Sequence, residues 1–207
     1  MSEDDQTLVL FKQSIRDCAR ANRLAQPGKD QLSQTICGVL ADLPEYLSAR
    51  SVLFYVDVRA EVRTRPFLPT ALAEGKLVVV PYCNDGGLEL FRLESMEELA
   101  VGSFKILEPR PELRHDRRRR MAIASIDLVV VPGVAFDREG SRLGHGLGYY
   151  DRLLAGARPD ASRVGLAFDC QIFPTLPTAP HDVPMHVILT ERAIYRVGHP
   201  PMPLASL

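Results

Sequence analysis

The residues best suited to chemistry lie in one segment, where three glycines alternate with other residues behind an arginine. It reads Arg142-Leu143-Gly144-His145-Gly146-Leu147-Gly148-Tyr149-Tyr150-Asp151. Glycines at this spacing leave backbone N–H groups uncovered, and a helix that follows points its positive end at a ligand. Such a loop favours phosphate, and Arg142 and His145 add cationic or hydrogen-bond-donating side chains to it. A glycine-rich turn needed only for close packing is the alternative interpretation.

Two familiar phosphate-binding motifs do not fit this segment. The chain contains no G-x-x-x-x-G-K-[ST] pattern, which excludes a P-loop. The dinucleotide fingerprint requires its first glycine in a tight turn after a strand, whereas residues 133–143 separate the expected strand from Gly144. The loop is therefore predicted to be a phosphate site of another construction.

Three charged residues complete the predicted site. Asp151 falls in the first turn of the helix after the loop, where it can complement the helix dipole or, beside phosphates, help to hold Mg²⁺. Lys12 and Arg16 are four residues apart on a predicted N-terminal helix, so they share a face. That face is either a solvated basic surface or a clamp on a polyphosphate.

The elements that must position these residues follow from hydrophobic spacing. In the first helix Phe11, Ile15, Cys18 and Ala19 follow the i, i+4, i+7, i+8 pattern of an apolar face. The unbroken Leu-Val-Val-Val run at 128–131 is typical of a buried parallel strand. Helices are expected at 6–24, 30–43, 64–73 and 148–155, and strands at 51–56, 77–81, 88–93, 127–132, 163–168, 185–190 and 193–197.

The alternation of strands and helices predicts an α/β fold with three α/β/α layers and a mostly parallel, Rossmann-like sheet. We expect one domain over residues 1–207, with loose ends at 1–5 and 199–207.

Composition excludes several classes of protein. The chain has 207 residues, 25 basic and 26 acidic, and 46% of them are hydrophobic. These values exclude a disordered chain, a disulfide scaffold and a collagen-like chain, and they argue against a protein that coats nucleic acid or an anionic membrane. The acidic start and the short apolar runs predict a cytoplasmic protein without a membrane span. Four cysteines without a C-x-x-C pair predict reduced, mostly buried thiols.

With these motifs in place, the chain resembles the 5-formyltetrahydrofolate cyclo-ligase family, also called methenyltetrahydrofolate synthetase. The resemblance rests on the glycine-rich segment together with Pro132-Gly133, Phe136-Asp137 and Gly140 ahead of it, and it covers most of the chain. The further matches are Lys12 and Arg16, Glu61-Val62-Arg63-Thr64, Gly75-Lys76, Ile106-Leu107-Glu108-Pro109, Gly165-Leu166-Ala167-Phe168 with Gln171, His181-Asp182, and Thr190-Glu191.

The resemblance implies a reaction and a role for each matching residue. The family uses Mg-ATP to close 5-formyltetrahydrofolate into 5,10-methenyltetrahydrofolate. Glu61, Tyr149 and Tyr150 would then bind the folate, and Arg142, His145 and Tyr150 would contact the reacting groups. Asp151, and more weakly His186, would hold the metal. The implied ATP-binding residues are Lys12, Arg16, Arg142, Leu143, Gly144, His145, Gly146, Leu147, Gly148, Tyr149 and Tyr150.

Four positions depart from the family pattern. Arg63 replaces an acidic residue, Lys105 replaces a glycine, and His145 stands where Arg or Tyr is common. His186 stands at a metal-associated aspartate, and imidazole is a poor ligand for Mg²⁺. These departures leave open a non-catalytic relative that binds folate or nucleotide.

Residues 108–120 are rich in proline and charge and are expected to form a surface loop, in which the arginine run at 117–120, extended by Arg114 and His115, is solvated. Attraction of RNA or of a folate polyglutamate tail is the weaker alternative, because no aromatic residues interleave the run. The expected partners are therefore folate and ATP, without nucleic acid or membrane, for a chain that is a monomer or a weak dimer.

Overall fold

The described part of the chain forms a mixed sheet of nine strands, two smaller sheets and a few helices. The computed structural model describes residues 3–84, 87–102 and 106–204, with side chains from residue 6 onward. The helices are α1 (Glu3–Ala25), α2 (Lys29–Asp42), α3 (Pro44–Ser48), α4 (Leu68–Ala73) and α5 (Tyr149–Leu154). The strands are β1 (Ser51–Leu53), β2 (Leu77–Asn84), β3 (Gly87–Leu93), β4 (Leu99–Val101), β5 (Leu107–Pro109), β6 (Arg120–Met121), β7 (Leu128–Val131), β8 (Ala135–Asp137), β9 (Arg142–Leu143), β10 (Ser162–Leu166), β11 (Ile172–Phe173), β12 (Val187–Leu189), β13 (Ala193–Arg196) and β14 (Met202–Pro203).

The centre of the large sheet is parallel and its edges are antiparallel. The parallel strands lie in the order β2-β1-β7-β10-β12. β3 and β6 complete one edge, and β13 and β14 complete the other. The chain leaves β1 toward β2 on one side, whereas it leaves β7 toward β10 on the other. This reversal opens a crevice at the carboxyl ends of β1 and β7, where open α/β sheets bind ligands.

Side chains cover both faces of the sheet near this crevice. All four residues of β7 are buried, as its unbroken apolar sequence predicts. Because successive strand residues point to opposite faces, Val130 packs in a cluster with Ile36 and Leu40 of α2, and Val129 packs in a second cluster with Leu154 of α5.

A small sheet in the order β11-β8-β9 carries the glycine-rich segment away from β7. Its β8–β9 hairpin is closed by buried Asp137, whose Oδ1 accepts hydrogen bonds from the backbone N–H groups of Glu139 and Ser141 at 3.0 and 2.9 Å. Ile15 and Ala19 of α1 pack against this sheet. The sheet therefore holds α1 beside the loop that follows β9.

The apolar face predicted for α1 is half wrong. Ile15 and Ala19 are buried, but Phe11 is 54% exposed because the small sheet covers α1 only from about Ile15 onward. Cys18 is also exposed, although it lies in the covered part of the helix. The four cysteines are free, and of these Cys37 alone is fully buried. The segment predicted as one loop at 108–120 also contains most of β5, a 3₁₀ turn and the first residue of β6.

The ends of the chain are only partly described. Residues 1–2 and 205–207 of the expected loose ends lie outside the described residues, as does Lys105. Glu3 already belongs to α1, and Met202–Pro203 forms β14. Among the described helices, none has both the length and the apolar character needed to cross a membrane.

Candidate functional site

Arg142 is the buried cation at the centre of the site. Its side chain, 4% exposed, donates from one terminal nitrogen to Asp151 Oδ1 at 2.7 Å and from the other to the carbonyl of Pro132 at 3.3 Å. The guanidinium also lies 5.8 Å from the centre of the Tyr150 ring. Its buried Nε has no hydrogen-bond partner among the described residues. Arg142 is thus held at the end of β7 with donor capacity left for a ligand.

The glycine loop follows Arg142 and lies against α1. Arg16 Nε donates to the carbonyl of Gly144 at 2.9 Å, so the predicted approach of α1 to the loop is present. Gly146 has φ +103° and Gly148 has φ +64°, conformations that side chains disfavour. Leu143 is buried against α1, whereas Leu147 is exposed at the loop tip.

Lys12 lies on the same face of α1 but is already paired. Its ammonium donates to Asp182 Oδ2 at 2.9 Å, and both side chains are largely buried. Burial would raise the pKa of Asp182, but hydrogen bonds from Lys12 and from the Ala179 backbone outweigh it, and the pKa is lowered. Burial lowers the pKa of Arg16, and the negative charge of Asp182 partly opposes this lowering. An incoming phosphate would therefore meet a basic face that is partly neutralised.

Glu61 comes from the other side of the crevice, eight residues after β1. It is 7% exposed and accepts a hydrogen bond from the Val58 backbone N–H at 3.0 Å. His145 of the glycine loop lies 3.5 Å from its other carboxylate oxygen. The structure thus brings together a predicted folate-binding residue and a predicted ATP-binding residue that are 84 positions apart (145 − 61).

The two tyrosines of the segment have different surroundings. Tyr150 packs against the core on both faces of the sheet, and its buried hydroxyl has no hydrogen-bond partner among the described residues. Burial, and then the charge of Glu61, raise the pKa of Tyr150 well above its ordinary value. Tyr149 lies beneath the guanidinium of Arg152 at 5.2 Å. Tyr150 is thus largely a core residue, with one buried polar atom that has no partner among the described residues.

Comparison with known proteins shows the family of the chain. The family model for the 5-formyltetrahydrofolate cyclo-ligase family matches residues 11–191. The chain belongs to this family.

Named relatives and a solved structure match over most of the chain. A probable 5-formyltetrahydrofolate cyclo-ligase of Schizosaccharomyces pombe is 32% identical over 84% of this chain and 91% of its own length. The 5-formyltetrahydrofolate cyclo-ligase of Escherichia coli K12 is 27% identical over 85% of this chain and 97% of its own. The NMR structure of the 5,10-methenyltetrahydrofolate synthetase of Aquifex aeolicus superposes with a TM-score of 0.79, at 33% identity, over 92% of this chain and 94% of that one.

Of the two residues that the sequence analysis predicted to hold a metal, Asp151 and His186, the structure places Asp151 beside the loop. Asp151 lies in the first turn of α5 with one carboxylate oxygen bound to Arg142. His186 precedes β12 at the amino end of the parallel strands, where its ring accepts a hydrogen bond from the Arg163 backbone N–H at 3.3 Å. His186 is not brought to the site, because the crevice opens at the opposite, carboxyl ends. Burial, and then Arg163, lower the pKa of His186.

The charge change at Arg63 is balanced locally. Arg63 lies 3.8 Å from the buried carboxylate of Asp57 and 3.2 Å from Asp30. Asp57 also accepts a hydrogen bond from the Arg65 backbone N–H at 2.8 Å. Arg63 therefore ties the Glu61 segment to α2 through its ion pair with Asp30.

The arginine run is a set of ion pairs with neighbouring acids. Arg114 lies 3.1 Å from buried Glu108, and Arg119 lies 2.7 Å from Glu98. Three further pairs are present in this region, Arg118 with Asp116, Arg119 with Glu94 and Arg120 with Glu89. Most of the positive charge here is thus neutralised within the fold, which gives an RNA or polyglutamate site little support.

Two residues to which the sequence gave no role in the site, Arg23 and Gln171, hold the chain where it leaves β7. Arg23 of α1, 5% exposed, donates to the carbonyl of Gly133 at 3.2 Å. Gln171 donates to the same carbonyl at 3.1 Å and to that of Val134 at 2.9 Å. A signal for Arg23 existed, because it lies seven residues after Arg16 and so continues the basic face of α1.

Proposed function

We propose that this chain catalyses the ATP-dependent closure of 5-formyltetrahydrofolate to 5,10-methenyltetrahydrofolate. One observation carries the proposal: the buried carboxylate of Glu61 meets the glycine loop through His145 at the carboxyl end of the sheet. This places a group suited to a folate ring beside a group suited to a triphosphate. Membership of the cyclo-ligase family supports the same reaction.

The chemistry explains why two such groups must meet. The formyl oxygen is amide-like and leaves poorly, so it first attacks the γ-phosphorus of ATP and ADP departs. The neighbouring folate nitrogen then attacks the formyl carbon, loses its proton, and the C–O bond breaks with release of inorganic phosphate. The protein must align the formyl oxygen with the γ-phosphate and neutralise charge during the transfer.

The cationic side of the crevice is assigned to the triphosphate. Arg142 has an unpartnered Nε and is fixed by Asp151, so it would donate to phosphate from a preset position. Arg16 and Lys12 flank the loop on α1 and would add charge, with Lys12 exchanging Asp182 for phosphate. The uncovered N–H groups of residues 144–148 would complete the cradle.

The opposite side of the crevice is assigned to folate. A pterin ring offers adjacent N–H donors at one edge, and a carboxylate such as that of Glu61 accepts both. The unpartnered hydroxyl of Tyr150 would donate a hydrogen bond to the same ligand. His145 joins the two sides, since it belongs to the loop and contacts Glu61.

Asp151 fits a magnesium ion held mainly by phosphate. Among the described residues no three metal-ligating side chains cluster, so a cage built by the protein alone is not found there. Mg²⁺ commonly takes one carboxylate together with phosphate oxygens and water, and Asp151 has one carboxylate oxygen outside its bond to Arg142. Bound there, the ion would neutralise phosphate charge.

The reversal of strand order and the packing of α2 and α5 on opposite faces support a three-layer, Rossmann-like domain. A cytoplasmic location, a single domain and a monomer or weak dimer stay predictions of the sequence. Two observations weaken the alternative of a non-catalytic relative that binds folate or nucleotide. Arg63 is ion-paired, and His186 lies outside the crevice.

A direct assay tests the reaction. Purified protein is incubated with 5-formyltetrahydrofolate, ATP and MgCl₂, and the methenyl product is followed by its absorbance together with ADP. We expect one ADP for each methenyl product. Glu61→Gln should lower the rate through weaker folate binding, whereas Glu112→Gln, at an exposed glutamate, is the matched control. Binding of both ligands without product would overturn the proposal.

A further inference from the structure

Glu61 is carried by a loop that begins at a buried carboxylate, Asp57, to which the reaction proposed above gives no task. Residues 57–65, which we call the Glu61 loop, follow the carboxyl end of β1. The side chain of Asp57 is 0% exposed. A buried carboxylate costs free energy unless hydrogen bonds and opposite charges compensate for the lost water. The partners of Asp57 therefore indicate what the carboxylate holds in place.

Asp57 joins the two ends of the Glu61 loop. Its Oδ1 accepts a hydrogen bond from the Arg65 backbone N–H at 2.8 Å, and Arg65 Nε lies 3.2 Å from each of its two oxygens. Arg63 Nη1 lies 3.8 Å from Oδ2. The two arginines offset the charge of the buried carboxylate, and the bond to the Arg65 backbone fixes how far apart the loop ends lie.

Two further hydrogen bonds fasten the returning half of the Glu61 loop. The hydroxyl of Tyr55, between β1 and the loop, donates to the carbonyl of Val62 at 2.9 Å. The hydroxyl of Thr64 donates to the carbonyl of Tyr55 at 2.6 Å. Both bonds are buried, where hydrogen bonds are stronger than in water. Glu61 thus lies in a turn whose two flanks are held together.

The turn that carries Glu61 has a conformation that its own residues disfavour. Arg59 has φ +53°, in the left-handed region that side chains rarely adopt. The Glu61 backbone N–H donates to the Val58 carbonyl at 3.1 Å, and Glu61 Oε2 accepts from the Val58 N–H at 3.0 Å. Such a turn persists where surrounding contacts impose it. If the loop ends separate, the turn can relax and carry the Glu61 carboxylate away from His145, which now lies 3.5 Å from it.

We propose that Asp57 is a positioning residue for folate, which holds the Glu61 carboxylate opposite His145 by joining the ends of the Glu61 loop. The proposal rests on the folate-binding role of Glu61 proposed above. Asp57 acts through the loop backbone rather than by contact with folate. Its loss should therefore weaken folate binding, while the glycine loop on the other side of the crevice still binds ATP.

The test compares Asp57→Ala and Asp57→Asn with the matched control Asp127→Ala. Asp127 makes the same kinds of contact, since its Oδ2 accepts from the backbone N–H groups of Arg50 and Ser51 at 2.8 Å each. Its Oδ1 pairs with Arg158. Asp127 precedes β7, at the amino end of the parallel strands and away from the crevice. Dissociation constants of 5-formyltetrahydrofolate and of Mg-ATP are measured by equilibrium dialysis, and the free energy of unfolding is measured in urea.

Asp57→Ala removes the acceptor for the Arg65 N–H, so the dissociation constant of folate should rise at least about tenfold while that of ATP stays within about twofold. Asp57→Asn keeps an oxygen that accepts the same hydrogen bond, so folate affinity should return to within about threefold of the parent. Asp127→Ala should lower the free energy of unfolding and leave both dissociation constants within about twofold. Equal weakening of both ligands by Asp57→Ala, no weakening, or equal loss of folate affinity in the alanine and asparagine variants would overturn the proposal.

A double variant separates this inference from the proposed function. If Asp57 acts through Glu61, Asp57→Ala combined with Glu61→Gln should bind folate about as weakly as Glu61→Gln alone, and additive losses would overturn the inference. If Glu61→Gln binds folate as tightly as the parent, the assigned role of Glu61 fails instead. Where Asp57→Ala does not fold by circular dichroism, Asp57→Leu takes its place, because leucine fills the buried site without supplying an acceptor, and the same loss of folate affinity is expected.

Discussion

Replacing Arg142 by methionine tests the central assignment of the site. The change keeps side-chain bulk but removes the cation, which leaves the Asp151 carboxylate without its 2.7 Å partner. Removing one member of a buried ion pair lowers the free energy of unfolding by about 3–5 kcal/mol. Because Asp151 is partly exposed, we expect a loss of about 3 kcal/mol here. If the phosphate contact is lost as well, kcat/KM for ATP should fall by roughly two orders of magnitude.

The assay varies each substrate in turn and records stability by urea unfolding. We expect the KM for ATP to rise at least about tenfold while the KM for folate changes less than about twofold. Arg138→Met is the control, since Arg138 is an exposed arginine of the same hairpin. Adding Asp151→Asn to Arg142→Met removes the unpaired charge, so it should recover stability without recovering the use of ATP. Equal effects on both substrates would refute the assignment of Arg142 to phosphate.

Three further predictions concern single positions. Asp127 has its pKa lowered to about 2, because hydrogen bonds from Ser51, Arg158 and the Arg50 backbone outweigh the raising effect of burial. The stability that this shift contributes is present above the ordinary pKa of an aspartate and is lost as the pH falls through the pKa of the folded state. Asp127→Asn should therefore lower the free energy of unfolding by about 1 kcal/mol at pH 7, a value discounted for exposure, and by less at pH 2. Equal losses at both pH values in urea unfolding would contradict this. Gly146→Ala has room for the added Cβ, but it requires φ +103°, which an alanine disfavours. KM for ATP should therefore rise several-fold with little change in Tm. An unchanged KM would argue against a role of the glycine loop in phosphate binding. Tyr150→Phe removes an unpartnered hydroxyl, so Tm should not fall although folate KM rises, and a clear loss of Tm would show that the hydroxyl has a partner within the fold.

The spacing of apolar residues and glycines along the chain predicted the strand and the loop that depend on neighbouring residues. The buried strand β7 is visible in four consecutive apolar residues, and the glycine loop predicted uncovered backbone and a following helix. The short strands β8, β9 and β11 were not predicted, because elements of two or three residues carry no periodicity and form only when a partner strand is present.

The sequence predicted which residues belong to the candidate site more fully than it predicted their contacts with one another. Lys12 and Arg16 were expected to share a face, and the structure places that face beside the loop. The pairing of Lys12 with Asp182 and the absence of His186 from the crevice were not expected. Each depends on which strand ends lie at the same edge of the sheet, and spacing along the chain does not contain that information.

The sequence by itself determined the family, the loop with its glycines and Arg142, and the class of reaction, since these depend on residue types at fixed short spacings. Tertiary structure alone decided that Glu61 meets His145 and that Arg23 becomes a buried cation beside Gly133. It also placed His186 at the amino end of the strands. The physical reason is that burial and charge pairing arise from segments distant in the chain, whose approach is set by strand order and packing rather than by local conformation.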